Sequence, residues 1–245
     1  MQKRKILITG GTGDVGRALV TEFCRLGHEV AFTYAQRDAV ASELESKTGA
    51  RARKLDLACA RFDEIAGERY DILVNNAGIN ITSVSTHEVS DGDWDATLAL
   101  NLTAPFRLAR ACLPHMVAQR WGRIVNISSI YGLRAAEGNL PYTVSKHGMA
   151  GLTRTIAKEY AQFGVTCNEI CPGPITGSMM RRIALEEGQA TGQPPETYLA
   201  DVVAGIPAGR MASPQDIALA AVFLASDSAE YVNGVSLPVD GGLIA

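Results

Sequence analysis

The length, composition and charge of the chain favour one folded α/β unit and exclude several classes of protein. Its 245 residues, 47% of them hydrophobic, are enough to bury a core without disulfides or a structural metal. The net charge of -3, with dispersed Lys and Arg residues, disfavours a nucleic-acid or anionic-membrane partner. No apolar run approaches the roughly 18 residues that a membrane-spanning helix needs. We therefore expect a single domain over 1–245.

The cysteine content indicates a reducing compartment. An odd number of cysteines, with no secretory pattern at the start of the chain, favours free thiols in the cytoplasm. Cys167 and Cys171 have neither a second cysteine pair nor suitably spaced histidines beside them, so we predict no metal site. The five cysteines are Cys24, Cys59, Cys112, Cys167 and Cys171.

Short aliphatic runs alternate with longer helical patterns along the chain. The tract 174–209 carries neither pattern, and its Gly, Pro and charged residues predict an irregular, mobile surface insert. The alternation predicts a doubly wound parallel sheet with helices on both faces. Predicted strands lie at 5–9, 29–33, 72–75, 123–128 and 165–170, with an edge strand at 236–239. Predicted helices lie at 17–25, 94–119, 142–162 and 214–224.

The first predicted strand leads directly into a glycine-rich turn and a helix. Glycines allow backbone angles that side chains exclude, and they let a pyrophosphate approach the amides at the helix N-terminus. In this strand-turn-helix context the pattern predicts a dinucleotide-binding Rossmann fold. The turn reads Gly10-Gly11-Thr12-Gly13-Asp14-Val15-Gly16.

The end of the second predicted strand bears on the choice between NADP and NAD. NAD-binding folds usually carry an acid there, whereas an Arg accommodates the 2′-phosphate of NADP. After Ala35 the first charged residue is Arg37, which favours NADP, and the adjacent Asp38 keeps NAD as the alternative. Arg37 and Asp38 are also the residue types expected of a solvated helix start, and that interpretation stays open.

Tyr142 and Lys146 form a candidate proton-transfer pair. They lie four residues apart in a predicted helix, hence on one face. A tyrosine with its ordinary pKa of about 10 is a poor proton-transfer group near neutrality, and a neighbouring ammonium favours its phenolate. The predicted strand 123–128 ends beside Ser129, at the edge where open α/β sheets bind ligands. A serine that only turns the chain is the alternative.

Over essentially its whole length the sequence resembles the classical short-chain dehydrogenases/reductases. Ser129 rather than Ser128 matches the catalytic serine of that family, because it lies thirteen residues before Tyr142 and three before Gly132. The matching positions are the glycine turn at 9–16, Asp56-Leu57, Asn75-Asn76-Ala77-Gly78, Asn101, Ser129, Tyr142, Lys146, Asn168, Pro172-Gly173 and Val239-Asp240-Gly241-Gly242.

The resemblance implies an oxidoreductase that transfers a hydride between a nicotinamide cofactor and a ketone or secondary alcohol. It implies that Tyr142 is the general acid for reduction and that Ser129 orients the reacting oxygen. Lys146 is expected to lower the pKa of Tyr142 and to bind the nicotinamide ribose. Asn101 is expected to hold a helix distortion and a water that connects the lysine to solvent.

The resemblance also implies where the cofactor binds. Asp56 matches the residue beside the adenine, 76–78 the segment under the adenosine ribose, and 172–175 the backbone beside the carboxamide. The full set of implied contacts is Gly10, Thr12, Gly13, Asp14, Val15, Gly16, Ala35, Arg37, Asp56, Leu57, Asn76, Ala77, Gly78, Tyr142, Lys146, Pro172, Gly173 and Ile175.

The sequence departs from the family pattern at three places. Asp14 stands where the classical turn has its middle glycine, and Gly13 stands one place earlier. We expect the Asp14 carboxylate to face solvent or to cap its own helix. The short separation of Asp56 and Asp71 predicts a stunted helix between them. Thr176 comes a residue or two earlier than in many relatives, which leaves one carboxamide contact open.

Within the family the sequence most resembles 3-oxoacyl-[acyl-carrier-protein] reductases and related ketoreductases. The implied substrate is a small or thioester-linked carbonyl compound under a lid at about 176–207, with an acyl carrier protein as a candidate partner. An NAD-dependent 3-hydroxyacid or other secondary-alcohol dehydrogenase is the alternative. A non-catalytic cofactor-binding regulatory protein is the alternative from another class.

The resemblance further bears on assembly and on one rival activity. Relatives associate through the long helices that correspond to 94–119 and 142–162, so we expect a homotetramer. A sugar-nucleotide epimerase or dehydratase is disfavoured, because a chain that ends at Ala245 has no room for the large substrate domain of those enzymes.

Overall fold

The computed structural model describes residues 2–58, 62, 65, 67–81 and 84–245, and in this part of the chain seven strands form one parallel sheet. The strands are β1 (Lys5–Ile8), β2 (Glu29–Tyr34), β3 (Arg51–Lys54), β4 (Ile72–Asn75), β5 (Gly122–Ile127), β6 (Val165–Pro172) and β7 (Ser236–Val239). Their order in the sheet is β3-β2-β1-β4-β5-β6-β7, and each neighbouring pair is parallel. All carboxyl ends therefore meet at one edge of the sheet.

Helices cover both faces of the sheet and enclose an apolar layer on each. Ile6 and Ile8 of β1 belong to one layer, and Leu7 between them belongs to the other, as the two-residue period of a strand requires. None of the helices in the described residues has the length and apolarity needed to cross a membrane. The helices are α1 (Asp14–Arg25), α2 (Asp38–Thr48), α3 (Asp91–Leu98), α4 (Ala104–Ala118), α5 (Leu140–Tyr160), α6 (Ser178–Thr191), α7 (Pro195–Ala204) and α8 (Pro214–Ala225).

The doubly wound parallel sheet predicted from the sequence is confirmed, with the predicted strands in place. Two elements were missed by the sequence patterns. β3 consists of the charged edge sequence Arg51–Lys54, and α2 buries only Ala41 and Leu44, so neither element carries an apolar stripe. The stunted helix predicted between Asp56 and Asp71 falls partly on residues outside the described part of the chain.

The tract 174–209 is more regular than its composition predicted. It contains α6 and α7, joined by a short turn. The residue Ala184 is the buried one in α6, which explains why no apolar period was visible. Pro195 opens α7, where its fixed backbone angle suits the first turn of a helix. We call this tract from 176 to 207 the lid.

The carboxylate of Asp14 joins the glycine turn to the lid. Its Oδ2 accepts hydrogen bonds from the backbone amide (2.6 Å) and the hydroxyl (2.7 Å) of Ser178, and Arg17 donates to its Oδ1 at 2.7 Å. Burial raises the pKa of Asp14, but the bonds from Ser178 and Arg17 outweigh it and hold the pKa below its usual value. The expectation that Asp14 faces solvent or caps α1 is therefore wrong: it caps α6 instead.

The fit at this junction is tight. Gly177 has a φ of 152°, and a Cβ on it would lie 2.5 Å from Asp14 Oδ2. A side chain at position 177 would therefore displace the carboxylate. The first residue of α1 and the first residue of α6 are thus held against each other at the edge of the sheet where the strands end.

Replacing Asp14 with Ala should loosen the start of α6, because the amide and hydroxyl of Ser178 lose their acceptor. A hydrogen bond to a charged group contributes about 1.5–3 kcal/mol, less where it is partly exposed, so we expect roughly tenfold faster opening of the lid. The measurement is the rate of native-state tryptic cleavage after Arg181 and Arg182. Glu43→Ala, which removes an exposed acid paired with Lys47, is the control. Equal cleavage rates in Asp14→Ala and the wild-type protein would contradict the lid contact.

Candidate active site

Three backbone segments bring the predicted catalytic side chains to the carboxyl edge of the sheet. Ser129 follows β5, Tyr142 and Lys146 lie on one face of α5, and Asn101 lies between α3 and α4. The connection 128–139 from β5 to α5 stays at this edge, and Ser129 at its start lies beside Tyr142 in the first turn of the helix. The sequence-predicted catalytic set is therefore brought together in space.

The hydroxyl of Ser129 touches both the chain and the phenol. Its Oγ accepts a hydrogen bond from the backbone amide of Tyr131 at 3.1 Å, and it also hydrogen-bonds the side chain of Tyr142. Ser129 therefore both stabilises the turn after β5 and faces the phenol of Tyr142. Ser128, by contrast, has a buried hydroxyl with no hydrogen-bond partner among the described residues. This arrangement fits Ser129, not Ser128, as the serine that meets the reacting oxygen.

The ammonium of Lys146 is buried close to the aromatic ring of Tyr142. The residue is 4% exposed, its Nζ donates to the carbonyl of Ile127 at 2.9 Å, and it lies 5.4 Å from the centre of the Tyr142 ring. Burial lowers the pKa of Lys146 to about 8, so the charged form still predominates near neutrality. A cation is therefore held beside the phenol by a backbone carbonyl at the end of β5.

The direction of the pKa shift at Tyr142 differs from the sequence expectation. Burial raises the pKa of Tyr142 to about 12, although the hydrogen bond with Ser129 lowers it. The ammonium of Lys146 is directed to Ile127 and lies over the ring, so it does not contact the hydroxyl and desolvation outweighs its charge. A protonated phenol at neutral pH is the form required of a proton donor.

Asn101 sits in a widened helical turn that separates two helices where the sequence predicted one. The stretch Ala99–Thr103 is π-helical, an irregularity that often marks functional positions. The fully buried Asn101 side chain donates to the carbonyl of Ile79 at 2.8 Å and to Ser145 Oγ at 3.1 Å, and it accepts from the amide of Ile79 at 2.9 Å. It thus ties the segment after β4 to α5. The helix distortion expected at Asn101 is present, and the water remains a prediction.

The glycine turn is shaped for close approach to its backbone. Gly10 has a φ of 67°, and a Cβ on Gly16 would lie 2.1 Å from the carbonyl oxygen of Gly10. The amides of Asp14 and Val15 lie at the N-terminus of α1, where an anion is stabilised. Residues of this turn therefore fit a bound pyrophosphate.

The loop after β4 is fixed to the glycine turn. The hydroxyl of Thr9 accepts from the amides of Asn76 and Ala77, both at 2.9 Å, and the Asn76 side chain donates to the carbonyl of Thr9 at 2.8 Å. A Cβ on Gly78 would lie 3.3 Å from Asn101 Oδ1 and 3.7 Å from Lys146 Nζ. The segment predicted to lie under a ribose thus connects the glycine turn with Lys146.

The two charged residues after β2 have different surroundings. Arg37 has a φ of 69° and its guanidinium donates to the carbonyl of Thr12 at 3.4 Å, so it reaches the glycine turn. Asp38 opens α2, and its carboxylate accepts from Lys54 at 2.8 Å and from Tyr34 at 3.2 Å. The carboxylate is thus neutralised by a neighbour while the guanidinium faces the turn.

The remaining predicted cofactor contacts lie around the same edge. Leu57 is buried, and Asp56 accepts from the amide of Ala58 at 3.0 Å, so this pair follows β3 as a fixed turn. Gly173 donates to the carbonyl of Val239 at 3.1 Å just beyond β6. The hydroxyl of Thr176 donates to the carbonyl of Ala212 at 3.3 Å and is thereby occupied. The sequence left open whether Thr176 contacts the nicotinamide carboxamide. Because its hydroxyl is bound to Ala212, Thr176 is poorly placed for that contact.

Sequence reasoning missed one buried ionisable residue beside the site, Glu169. The signal was present, because a glutamate interrupts the aliphatic run of the predicted strand 165–170, and a buried acid is uncommon unless it has partners. Tyr131, which packs edge-on against Tyr142 with ring centres 6.4 Å apart, carried no such signal.

The structure also bears on the predictions made from the sequence about metal sites and cysteines. Among the residues that the structure describes, no group of three or more His, Cys, Asp or Glu side chains is arranged to hold a metal ion. Cys24, Cys112, Cys167 and Cys171 are free thiols, and Cys59 lies outside the described residues.

Comparison with known proteins gives matches along nearly the whole chain. The family model described as enoyl-(acyl carrier protein) reductase matches residues 12–244. Acetoacetyl-CoA reductase of Rhizobium meliloti is 36% identical over 248 residues, covering 98% of each chain. The 3-oxoacyl-[acyl-carrier-protein] reductase of Aquifex aeolicus is 34% identical over 255 residues, covering 99% of this chain and 98% of that protein.

Solved structures agree with these relatives in fold. A candidate NAD(P)-dependent gluconate 5-dehydrogenase from Beutenbergia cavernae, with NADP bound at low occupancy, superposes with a TM-score of 0.87 at 36% identity, covering 98% of this chain and 96% of that one. An oxidoreductase of the short-chain dehydrogenase/reductase family from Burkholderia thailandensis gives a TM-score of 0.85 at 32% identity, covering 100% and 94%. The chain belongs to the short-chain dehydrogenase/reductase family of oxidoreductases.

Proposed function

We propose that this chain is an NADP-dependent ketoreductase that reduces the 3-oxo group of an acyl thioester. The observation that carries the proposal is the assembly of Ser129, Tyr142, Lys146 and Asn101 at the carboxyl edge of the sheet, next to a glycine turn that Arg37 reaches. The relatives named as acetoacetyl-CoA and 3-oxoacyl reductases support the substrate class. In the reverse direction the same residues would take the proton of the hydroxyl product, and bound oxidised nicotinamide would accept its hydride.

Tyr142 is the proton donor of the reduction. With its pKa raised by burial, the phenol is protonated at neutral pH and donates to the carbonyl oxygen as negative charge develops there. Ser129 donates a second hydrogen bond to that oxygen. Lys146 keeps a positive charge beside the phenolate that forms, and Asn101 holds the backbone around it. A bound reduced nicotinamide supplies the hydride.

We assign the cofactor contacts from the family resemblance, and the geometry of the glycine turn supports this assignment. The pyrophosphate fits the amides of Asp14 and Val15, with Gly10, Thr12, Gly13 and Gly16 forming the turn. Arg37, beyond Ala35, faces the 2′-phosphate, Asp56 and Leu57 the adenine, and 76–78 the adenosine ribose. Lys146 and Tyr142 meet the nicotinamide ribose, and Pro172, Gly173 and Ile175 line the carboxamide.

The mouth of the site favours an apolar acyl chain. Ile81, Leu133, Val144 and Met179 lie on four segments that border the catalytic edge, and each is at least 36% exposed. Isolated apolar side chains on a surface are ordinary, but four on segments that follow or flank the carboxyl ends of the strands support a hydrocarbon substrate. The lid carries Met179 and is held both by Asp14 and by a hydrogen bond of Arg182 to the carbonyl of Asn80 at 2.8 Å.

A secondary-alcohol dehydrogenase is the second candidate function. D-beta-hydroxybutyrate dehydrogenase of Cupriavidus necator is 33% identical over 251 residues and bears a name for the oxidative direction on a 3-hydroxyacid. A free 3-hydroxyacid would need a cationic partner for its carboxylate at the mouth, and Arg182 is the nearest lid residue of that charge to the segment after β4. An NAD-dependent 3-hydroxyacid activity is therefore the alternative to thioester reduction.

We further propose that the chain forms one domain over 1–245, with the lid closing on the substrate. An acyl carrier protein or CoA presents that substrate, and the free thiols suit a cytoplasmic location.

The assembly that we propose is a homotetramer built on α4 and α5. Phe106 on α4 is 45% exposed and lies beside Arg110, which suits burial in a subunit contact. Sedimentation at micromolar concentration should give the tetramer mass, and a monomer alone would exclude it.

Replacing Tyr142 with Phe should remove the proton donor while leaving the fold and the other cofactor contacts in place. General acid catalysis contributes on the order of 10²–10⁴-fold, so kcat for acetoacetyl-CoA reduction with NADPH should fall by about that factor. NADPH binding, followed by the fluorescence of the bound nucleotide, should persist.

The matched control for this substitution is Tyr160→Phe at the far end of the same helix, where Tyr160 packs on Phe163. Its kcat should stay close to that of the wild-type protein. Unchanged turnover of every accepted ketone in Tyr142→Phe would show that another group donates the proton.

A further inference from the structure

Glu169 places a carboxyl group in the interior of the sheet, directly behind the catalytic pair. It lies in the middle of β6 with 0% of its surface exposed. By the alternation of a strand, its side chain shares a face with Cys167 and Cys171. Cys167 belongs to the apolar layer that also contains Ile156 of α5, so this face is the one that α5 covers. The carboxyl therefore lies between β6 and the helix that carries Lys146.

The two oxygens of Glu169 have unequal surroundings. Oε1 accepts a short hydrogen bond from the hydroxyl of Ser236 on β7. Oε2 forms no hydrogen bond of standard geometry among the described residues, and the hydroxyl of Ser128 faces the carboxyl closely enough to lower its pKa. A buried carboxyl with a free oxygen is costly to leave unmatched, so its retention calls for a compensating charge.

A line of polar groups connects this carboxyl with the surface. The guanidinium of the exposed Arg154 on α5 donates to Ser236 Oγ at 3.2 Å, and Ser236 in turn binds Glu169. On the inner side, the neighbouring strand β5 supplies the carbonyl of Ile127 that holds the Lys146 ammonium. Because Asn126 and Ile127 pair with Glu169 and Ile170, the carboxyl of Glu169 and the carbonyl that holds the Lys146 ammonium belong to neighbouring stretches of the sheet.

We propose that Glu169 is a positioning residue for the reaction, which keeps Lys146 in its charged form from behind and is itself held by Ser236, to which Arg154 donates a hydrogen bond. The role in turnover rests on the proposed ketoreductase function, whereas the effect on Lys146 does not. Glu169 touches neither the substrate nor the cofactor; it acts through Lys146 on the proton donor Tyr142.

The charges that face these groups give the direction of the effect. Around Lys146, burial lowers the pKa, and the carboxyl of Glu169 and the thiol of Cys171 raise it. Around Glu169, burial outweighs the lowering by Ser236, Ser128, Arg154 and Lys146, so the pKa of its carboxyl lies above the usual value. Burial raises the pKa of Cys171 to about 12, so that thiol is neutral near pH 7, and Glu169 is the acid whose ionised form raises the pKa of Lys146.

The sign follows from these surroundings. Lys146 is charged below its pKa and neutral above it. Removing the negative charge of Glu169 lowers that pKa, so the ammonium is lost at a lower pH. Any activity that depends on the charged lysine should therefore fail earlier as the pH rises. If the role of Glu169 were purely structural, its replacement would reduce activity at every pH. The pH at which activity falls on the alkaline side would then stay the same.

The test is a pH titration of the Lys146 side chain by ¹³C NMR of labelled lysine, with the resonance assigned by its absence in Lys146→Met. In the wild-type protein the pKa of Lys146 should be about 8. In Glu169→Gln it should fall by about one pH unit, the size of a charge interaction in a partly polar interior. Glu169→Asp should recover part of the shift, and Lys158→Ala, at an exposed cation on the same helix, should leave it unchanged.

A second readout and a second variant keep the outcomes distinct. The alkaline limb of the pH profile of kcat should move with the NMR titration. Ser236→Ala, which retains the carboxyl but removes its hydrogen bond, should shift Lys146 in the same direction by less, and it replaces Glu169→Gln should that variant not fold. A folded variant with an unshifted Lys146 titration overturns the proposal. A shifted titration in a protein that reduces no ketone would instead refute the ketoreductase function and leave the role of Glu169 standing.

Discussion

The hydrogen bond from the ammonium of Lys146 to the carbonyl of Ile127 is the contact on which the site depends. An isolated ammonium is expensive to bury, and here the last carbonyl of β5 and the carboxyl of Glu169 on β6 compensate it. Because the carbonyl belongs to the central sheet, the position of the lysine is set by the fold and not by a flexible loop. Tyr142 lies one turn before Lys146 on α5, so the position of its phenol is fixed together with that of the lysine. Ser129, which follows β5, lies next to this phenol.

A second contact couples the cofactor region to the substrate region. Asp14 replaces a glycine of the family pattern, and its carboxylate holds the first residue of α6 against the glycine turn. An acid this close to the proposed pyrophosphate site is tolerable because Arg17 pairs with it and Ser178 occupies its other oxygen. The departure from the pattern thus serves the lid, and it links the ordering of the lid to the place where the cofactor phosphates fit.

The fold could be predicted from local patterns, whereas the candidate catalytic set also needed the resemblance to a known family. Alternating runs located β1, β4, β5 and β6, and the spacing of Ser129, Tyr142 and Lys146 was readable without coordinates. The lid helices were not, since α6 is held by long-range bonds from Asp14 and buries only Ala184. The pKa of Tyr142 was also beyond the sequence, because it depends on how deeply the phenol is buried and on where the ammonium points. Glu169 shows the same limit: its partners Ser236 and Lys146 are distant in the chain.

The most direct test of the account is a turnover assay of the wild-type protein and Arg37→Ala with NADPH and NADH in parallel, over 3-oxoacyl thioesters, simple ketones and sugar acids. The wild-type protein should reduce 3-oxoacyl thioesters fastest, with a preference for NADPH that Arg37→Ala diminishes by roughly tenfold or more, as expected for loss of a charge-assisted contact. Turnover confined to sugar acids, or an NADH preference that Arg37→Ala does not alter, would contradict it.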